Sequence, residues 1–551
     1  MQAVKPFAFL RWLAAALVLA ASAGGCAFRP HPLSDADRAA EATTDMADAF
    51  ANQEPLHHPL TLEEAFARAI AYNLDERVKL MERQVAERDF EISKFDMLPK
   101  VVGTAGASTR DNVLASTSVS VVNQSVTVPP STSTDNDLRF ADLTTSFNIL
   151  DFWVSYFNSK QQANKVLVAE EQRRHVLQGL FQDVRRAFWR AASAQRLAND
   201  IRESTREAQD ALSSSQKSEA LHAPLDALRY QKSLLIALRD LNVVNHGLAS
   251  AKAELAQLIN LPPGSNYTLA VPSTLRMTSP RLPIREMEEV ALIRNPEIRE
   301  ASYQVRISAD ETRKTLARNL PGINFSYGPN YDSNSFLVNN TWTAGAVRLS
   351  GNLVSVISIP EQLKRGHLAE DTAITRREAL SVATLAKLHI AYQTYLAALH
   401  EFRDADQLAS VDRKLFQQIS NGAESNAQSE LERVSARVNA VQTDLYRYRA
   451  YADAQAALGR IYEVVGLDPI PDQVESLDIT SLSAAIRRSA SDWKNERLEQ
   501  LTDAVVTTRA AGPAPAAASA TPDRSPQQQA AEAAPAPQRS AQASSNQPVA
   551  Q

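Results

Sequence analysis

The residue types that usually carry out catalysis are few and scattered in this sequence. Its nine His residues do not cluster, and His57-His58 is the only adjacent pair. The sequence has no H-E-x-x-H motif and no Gly-rich phosphate loop, and its single Cys excludes a cysteine cluster and an internal disulfide. The adjacent carboxylates Glu63 and Glu64 stand at the start of a predicted helix, where they stabilise the helix dipole. We therefore predict neither an enzyme nor a metal or cofactor site.

The single Cys offers a different chemistry. Residues 1–25 have the basic start, the apolar run Trp12–Ala21 and the small residues of a secretory signal peptide. The ending Ala-Gly-Gly-Cys resembles a bacterial lipobox, in which Cys26 becomes the lipidated N-terminus, although Leu is usual where Ala23 stands. A lipid on Cys26 would anchor the chain without a spanning helix. The residue after the cysteine, Ala27, is not acidic, which in lipoproteins of this kind indicates sorting to the outer membrane. The alternative is an ordinary cleavage site followed by a chance cysteine.

The remaining chain consists of two copies of one plan. A shift of 222 positions places Leu60 on Leu282, Asn73 on Asn295 and Leu98-Pro99 on Leu320-Pro321 without a gap. Each copy continues into a Thr/Ser/Val-rich segment of strand character and then into long helical patterns, as repeated units do. The few Gly residues, 16 in 551, and the abundant Ala favour helix over sheet. The net charge of −5 gives no reason to expect a nucleic-acid partner.

Two helices of the first copy are predicted over Gln161–Ser215 and Pro224–Asn260, with lengths of roughly 55–80 Å at the α-helical rise. The second of them has two adjacent apolar seams, and its counterpart in the second copy repeats the heptads. Two seams favour packing against two neighbours, as in a ring of helices, over a solitary antiparallel hairpin. The heptad positions of the first copy are Ala227, Leu234, Leu241, Leu248 and Leu255, and those of the second copy are Leu431, Val438, Leu445 and Ala452.

Strands are predicted over Val119–Val128 and Leu138–Leu150. In the second of these, Leu143, Phe147 and Ile149 alternate with polar residues, which is the period of a strand with one apolar face. The other copy repeats the alternation. A half-buried hairpin in a globular domain would show the same pattern. Four such strands per chain cannot close a core alone, which favours a barrel shared between subunits. In the second copy the apolar positions are Val347, Leu349 and Leu353, and Arg348, Ser350 and Asn352 lie opposite.

The ends and the join between copies set the domain limits. A Pro-rich link around residue 271 joins the copies, and the Ala/Pro/Gln-rich C-terminal tail has too few apolar residues to fold. The predicted domains are the signal peptide 1–25, an extended lipidated leader 26–55, the first repeat 56–270, the second repeat 271–480, a C-terminal helix 481–506 and a disordered tail 507–551.

The order of these features resembles the TolC-like outer-membrane efflux protein family over about residues 56–480. The first unit opens with Leu60-Thr61-Leu62-Glu63-Glu64-Ala65, and Leu-Pro pairs precede the strands in both units. The hairpin turn 220–228 and the end of the second copy, Val465-Gly466-Leu467, also resemble the family. No single motif is specific to the family, but the duplicated order of the motifs is specific to it.

The resemblance implies a homotrimer in which mainly helical protomers form a trimeric α-barrel from long antiparallel coiled-coil hairpins. Each protomer would add four strands to a shared 12-stranded transmembrane β-barrel. Such a channel-tunnel takes substrate from an inner-membrane transporter through a periplasmic adaptor and releases it outside the outer membrane. Small drugs, metal ions and secreted proteins all remain open as substrates.

The resemblance also implies functional residues at the periplasmic hairpin turns. Acidic residues just past these turns narrow the aperture in the family, and Asp226, Glu430 and Glu424 are the corresponding acids here. The family pattern has Gly where Ala220 stands, and Gln428 stands where the second turn would have its acid. A solvated helix face is the alternative for these acids. The residues expected to contact the adaptor are Ala220, Leu221, Pro224, Gly422 and Ala423.

A lipid-anchored coiled-coil scaffold of the cell envelope, without a pore, is the alternative from a different class. It would account for the lipid, the heptads and the tail, but not for two strand pairs with apolar and polar faces. Deletion of Val101–Leu150 separates the two hypotheses, because a scaffold would still assemble without these residues.

Overall fold

We analysed a computed structural model of the chain. It describes residues 32–51, 53–126, 129–218, 224–272, 274–277, 283–422, 427–468 and 478–495.

The described residues form ten helices and six strands. The helices are α1 Asp35–Ala49, α2 Leu62–Tyr72, α3 Leu74–Phe95, α4 Ile149–Ser218, α5 Pro224–Leu258, α6 Ile284–Arg294, α7 Pro296–Arg318, α8 Leu353–Gly422, α9 Ala427–Val465 and α10 Ile479–Asn495. The strands are β1 Lys100–Thr109, β2 Ala115–Ser116, β3 Ser131–Thr132, β4 Asp137–Asn148, β5 Gly322–Asp332 and β6 Thr341–Ser350.

Two buried asparagines show that the duplication is structural. The side-chain oxygen of Asn73 caps α3 by accepting from the backbone N–H groups of Asp75 and Glu76, and Asn295 caps α7 in the same way. The Asn73 amide donates to the carbonyl of Leu258 at 3.1 Å, and the Asn295 amide donates to that of Val464 at 3.0 Å. Each asparagine therefore joins two helices end to end and ties both to the last turn of the return helix of its own repeat.

The long helices α4 and α8 form the frame of the fold. Each has 70 residues and is therefore about 105 Å long. Helix α4 packs against α3 and α5 on one side and against α7 and α9 on the other, and α8 packs against α7 and α9. We call this arrangement the helical wall. It alternates two continuous helices with two interrupted rows, one of α3 and α5 and the other of α7 and α9.

The wall is held together by apolar packing where the two repeats meet. One buried cluster joins Leu197 and Leu241 of the first repeat to Val438, Val441 and Tyr448 of α9. A second cluster, nearer the hairpin turns, joins Ala208, Leu234 and Leu238 to Val434. These residues include the predicted heptad positions Leu234, Leu241 and Val438, so the seams do face neighbouring helices.

Four strands form one antiparallel sheet in the order β1-β4-β5-β6. The central pair β4 and β5 comes from different repeats and places Ser146 opposite Ser326. The outer strands pair with β4 and β5 respectively, so β1 and β6 are the two edges. The short strands β2 and β3 form a separate hairpin in the loop between β1 and β4.

Several predicted element limits differ from the structure. The predicted strand 119–128 is wrong, since its described part contains one isolated bridge, between Val119 and Val126, and the partner of β4 is β1. The leader is not extended throughout, because α1 lies within it and begins with a capping box between Ser34 and Asp37. Within the predicted helix 481–506, the described residues are helical to Asn495, and residues 496–551 lie outside the described parts of the chain.

Two further differences come from helix starts. Ile149 and Leu353, predicted to continue the apolar strand faces, begin α4 and α8. The Thr61 side chain caps α2 by accepting from the backbone N–H of Glu64, and the Glu64 carboxylate, predicted to stabilise the helix dipole, pairs with Arg68 at 3.2 Å. Both side chains of that pair are buried, which explains why the carboxylate bonds to the guanidinium group instead of capping the helix.

No helix among the described residues is both long and apolar enough to cross a membrane.

Candidate functional site: the sheet faces and the ends of the helical hairpins

The two faces of the four-stranded sheet differ in chemistry. Residues paired across antiparallel strands point to the same side, so the register assigns every side chain to a face. One face carries mostly small, aliphatic and aromatic residues, with the charged Asp137 and Arg139 only at its end near the β1–β4 loop, and is called here the apolar face. Its larger members are Val101, Leu143, Phe147, Ile323, Phe325, Tyr327, Tyr331, Val347 and Leu349.

The opposite, polar face carries charged and amide side chains in two rows, which are separated by rows of hydroxyl side chains from Thr144, Ser146 and Ser326. Thr104, Asp142 and Asn330 form one row across three strands. Asn148, Asn324 and Arg348 form another row. Towards the β1–β4 loop this face also includes Phe140, whose ring lies against Gly106. A Cβ atom at Gly106 would lie 2.5 Å from that ring, so the contact requires glycine.

The apolar face is uncovered in a single chain. Val347 and Leu349 are each 70% exposed and Tyr327 is 65% exposed. An exposed apolar area of this kind marks an interaction surface. In addition, the edges of β1 and β6 carry backbone groups that no other described strand pairs with, and such edges form sheets with further strands.

A chain of aromatic contacts marks the junction between the sheet and α4. Phe147 at the end of β4 contacts Phe152 with ring centroids 6.1 Å apart, and Phe152 contacts Trp153 at 5.8 Å. Trp153 contacts Tyr156 at 5.9 Å, and Tyr156 contacts Phe157 at 5.5 Å. Trp and Tyr at one end of an apolar band are typical of the boundary between lipid and water.

Helix α3 has a second uncovered apolar surface, which we call the α3 stripe. Its residues are 44% to 69% exposed and recur at alternating steps of four and three positions, the spacing of a coiled-coil seam. Only Arg88 interrupts this spacing. The α3 stripe consists of Leu74, Val78, Met81, Val85, Ile92 and Phe95. The sequence contains this spacing, but heptads were predicted only in the return helices, so the α3 stripe was not predicted.

The two helical hairpins turn at the same end of the wall. Helix α4 ends at Ser218 and α5 begins at Pro224, and α8 ends at Gly422 and α9 begins at Ala427. Near these turns the repeats are joined by ion pairs. Arg437 of α9 donates to Glu203 and Glu207 of α4, each at 2.6 Å.

The link between the repeats is anchored on the wall by polar contacts. The backbone of Leu269 and the side chain of Gln195 exchange two hydrogen bonds of 2.8 Å. The Tyr267 hydroxyl donates to the carbonyl of Lys252 at 2.6 Å, and burial raises the pKa of Tyr267 to about 12.

A partly buried ion network, centred on the buried Glu171, joins the repeats at the level of the interrupted rows. Arg174 pairs with Asp468 at 2.6 Å and with Glu171 at 2.5 Å, and Arg299 pairs with Glu171 at 2.8 Å. Burial raises the pKa of the Glu171 carboxyl, because the two guanidinium groups compensate only part of its desolvation.

No protein-family model and no curated protein matches the sequence. Solved structures do match the fold. The chain is similar to the outer membrane channel CmeC of Campylobacter jejuni, with a TM-score of 0.58 and 11% identity over 85% of this chain and 97% of that one. It is also similar to the outer membrane channel MtrE of Neisseria gonorrhoeae, with a TM-score of 0.59 and 14% identity over 74% of this chain and 88% of that one. A membrane protein from Pseudomonas aeruginosa gives a TM-score of 0.57 at 15% identity, over 74% and 90% of the two chains.

The chain has the TolC-like outer-membrane factor fold. The predicted fold class is thereby confirmed at the level of one chain, which is mainly helical with a small antiparallel part. Identities of 11% to 15% establish the fold alone.

In this TolC-like chain the predicted gate acids stand at the hairpin turns, where the helices restart. Asp226 is in the first turn of α5 and Glu430 is in the first turn of α9. Pro224 is the first residue of α5 and Gly422 is the last residue of α8. The remaining predicted site residues lie outside the described residues, namely Cys26, Ala220, Leu221, Ala423 and Glu424.

Proposed function

We propose that three copies of this chain form a channel through the outer membrane and a tunnel below it, for export from the cell. The observation that carries the proposal is the four-stranded sheet with an exposed apolar face, a polar face and two free edges. The solved structures of similar fold include outer membrane channels, which supports the same role here.

The sheet is suited to closure with other copies. An isolated sheet of four strands leaves two edges open, and three copies joined between β1 and β6 would give a closed ring of 12 strands. The apolar face would then contact lipid and the polar rows would line the channel, as in transmembrane barrels. The aromatic cluster around Trp153 would lie at the periplasmic boundary of the lipid.

The α3 stripe supports the same assembly in the helical part. Helix α3 stands at one side of the wall and α8 at the other, and each has exposed apolar residues. We propose that the α3 stripe of one copy packs on α8 of the next, so that three walls close into a helical barrel. The most exposed apolar residues of α8 are Val354, Ile357, Leu368, Val382 and Ile390.

The hairpin turns would form the periplasmic mouth. Three copies of Asp226 and of Glu430 around one axis would make rings of carboxylates that attract cations and repel one another. We propose that these rings, with Glu424, narrow the aperture. The turns with Ala220, Leu221, Pro224, Gly422 and Ala423 would contact a periplasmic adaptor, which receives substrate from an inner-membrane transporter.

We also propose that Cys26 carries lipid, so that the protein is anchored in the outer membrane beside its own barrel. Mass spectrometry of the purified protein tests this point. The expected N-terminal peptide begins at Cys26 and carries acyl chains, and cleavage elsewhere or an unmodified thiol would contradict it.

Channel activity is tested directly by reconstitution. The full chain, purified in detergent, should be a trimer by light scattering and should give stepwise single-channel currents in planar lipid bilayers. Deletion of Val101–Leu150 should abolish both membrane assembly and the currents. A stable monomer without currents, or a deletion variant that still assembles, would instead favour the lipid-anchored scaffold.

A further inference from the structure

A large groove on the helical wall has no role in the proposed channel. It lies over α9, between α4 on one side and α8 on the other, and Val271 and Pro272 of the link between the repeats close one end. Its volume is about 730 Å³. Cavities that bind small ligands have roughly 300–1,000 Å³. We call it the arginine groove, after the residues described next.

Four guanidinium groups and two carboxylates line this groove. The arginines are Arg196, Arg413, Arg437 and Arg447, and the carboxylates are those of Asp200 and Asp444. Within the lining alone, positive charges exceed negative charges by two, but three further carboxylates offset this excess at Arg437 and Arg447, so Arg196 and Arg413 are the cations offered to a ligand. Beyond the lining, Glu203, Glu207 and Asp406 pair with two of the arginines.

The ion pairs of the groove leave donors unused. Arg413 pairs with Asp444 at 2.6 Å through one nitrogen, and Arg447 uses one nitrogen for Asp406 and another for Asp444. Arg196 forms no ion pair with any described residue. Because each guanidinium group carries five N–H donors in a fixed plane, most donors remain available to a ligand.

Two aromatic rings hold the arginines in place. The guanidinium carbon of Arg437 lies 5.8 Å from the ring centre of Phe416, and that of Arg447 lies 5.6 Å from the ring centre of Tyr448. Both rings line the groove and orient the charged groups, and Phe416, which is only partly buried, also offers apolar surface to a ligand. A planar guanidinium group held in this way matches a carboxylate in a bidentate geometry.

We propose that the arginine groove binds an organic anion that carries several carboxylate groups, with its uncharged part on Phe416. The ligand can be a free polycarboxylate or a short acidic peptide, since the chemistry of recognition is the same. All walls of the groove come from one chain, so the proposal goes beyond the channel function and does not depend on it.

Binding of a fluorescein-labelled hexaglutamate peptide to the full-length protein in detergent tests the proposal, with fluorescence anisotropy as the readout. The test variants are Arg196→Gln and Arg196→Gln with Arg413→Gln. The single change removes a side chain that makes no ion pair among the described residues, so it leaves the fold intact. The matched control is Arg202→Gln, on the same helix, whose guanidinium group bonds to Asn199 outside the groove.

The double variant should weaken hexaglutamate binding by about tenfold, since it removes two charged donors. The single variant should weaken binding to a smaller extent, and Arg202→Gln should bind like the wild type. The proposal is overturned if labelled hexaglutamine binds equally well, if Arg202→Gln loses as much affinity as the test variants, or if hexaglutamate does not bind. If citrate displaces the labelled peptide, a free polycarboxylate is supported as the ligand. If the peptide stays bound in the presence of citrate, an acidic peptide is supported.

Discussion

The assignment of the sheet faces predicts opposite effects for one substitution at two neighbouring positions. Val347 lies on the apolar face and Ala346 on the polar face of β6, and both are exposed in the single chain. Val347→Arg would place a cation against lipid, whereas Ala346→Arg would place it beside the channel, where Arg348 already lies. We expect the first change to prevent assembly in the membrane and the second to leave assembly intact.

The expected size follows from the position of Val347 in the strand. Val347 stands three residues before the end of β6 at Ser350, which is about 10 Å along a strand. A strand tilt of about 40° reduces this to roughly 8 Å within an apolar band of about 25 Å. At that depth an arginine on the lipid face costs about 2–3 kcal/mol per chain, and therefore roughly 6–9 kcal/mol per trimer.

The assay compares the two variants in isolated outer membranes. Resistance to urea extraction measures insertion, and native gel electrophoresis measures the trimer. Val347→Arg should be extracted by urea and should lack the trimer band, and Ala346→Arg should behave like the wild type in both measurements. Equal behaviour of the two variants would refute the face assignment, and with it the barrel.

Three further predictions concern the mouth, the contact between copies and the link. Asp226→Ala combined with Glu430→Ala should raise single-channel conductance, because it removes two rings of charge from the narrowest part of the tunnel. Val85→Lys in the α3 stripe should destabilise the trimer by about 1.5–3 kcal/mol per contact, the value of a buried apolar side chain, measured by dissociation in detergent. Tyr267→Phe should reduce the loss of thermal stability between pH 10 and 12. The folded chain keeps a Tyr267 proton that the unfolded chain loses above pH 10, so the wild type loses stability as pH rises through this range.

Each of these has a control on a nearby residue or at another pH. Asp240→Ala, farther along α5, should leave the conductance unchanged, and an unchanged conductance in the double variant would remove the gate assignment. Glu82→Lys, on α3 but outside the stripe, should not affect the trimer, whereas equal dissociation of both variants would argue against the stripe as a contact. At pH 7 Tyr267→Phe should cost about 1 kcal/mol for its hydrogen bond. A parallel pH dependence of variant and wild type would contradict the raised pKa.

The sequence allowed the repeated helices and the sheet alternation to be predicted, because both leave a periodic signal. The heptads with Leu234, Leu241 and Val438 run without interruption, and they pack as expected. The equivalence of Asn73 and Asn295 was visible as an alignment, but its cause was not. Only the structure shows that both side-chain amides bond to the carbonyl end of a return helix, 185 and 169 residues away in the sequence.

The parts that were mispredicted lack such a signal. β1 contains Gly103, Gly106 and two Ala residues, so its pattern is weaker than that of Val119–Val128, which has strand composition but forms one bridge in its described part. The arginine groove was not predicted, because Arg196 and Arg437 are separated by 241 positions in the sequence and meet only when α9 packs on α4. No local pattern records a contact between residues so far apart.

The interruption of two helical rows beside two continuous helices has a mechanical consequence. At the level of Asn73 and Asn295, no backbone i to i+4 hydrogen bond crosses from α3 to α5 or from α7 to α9. A bend at that level therefore stretches the hydrogen bonds that the Asn73 and Asn295 side-chain amides donate in these rows. The continuous helices α4 and α8 must bend along their length. We expect the end of the wall with the hairpin turns to swing about this level as about a hinge, while the end with the sheet stays rigid. Replacing either asparagine would then alter how far the mouth can dilate without altering its charge.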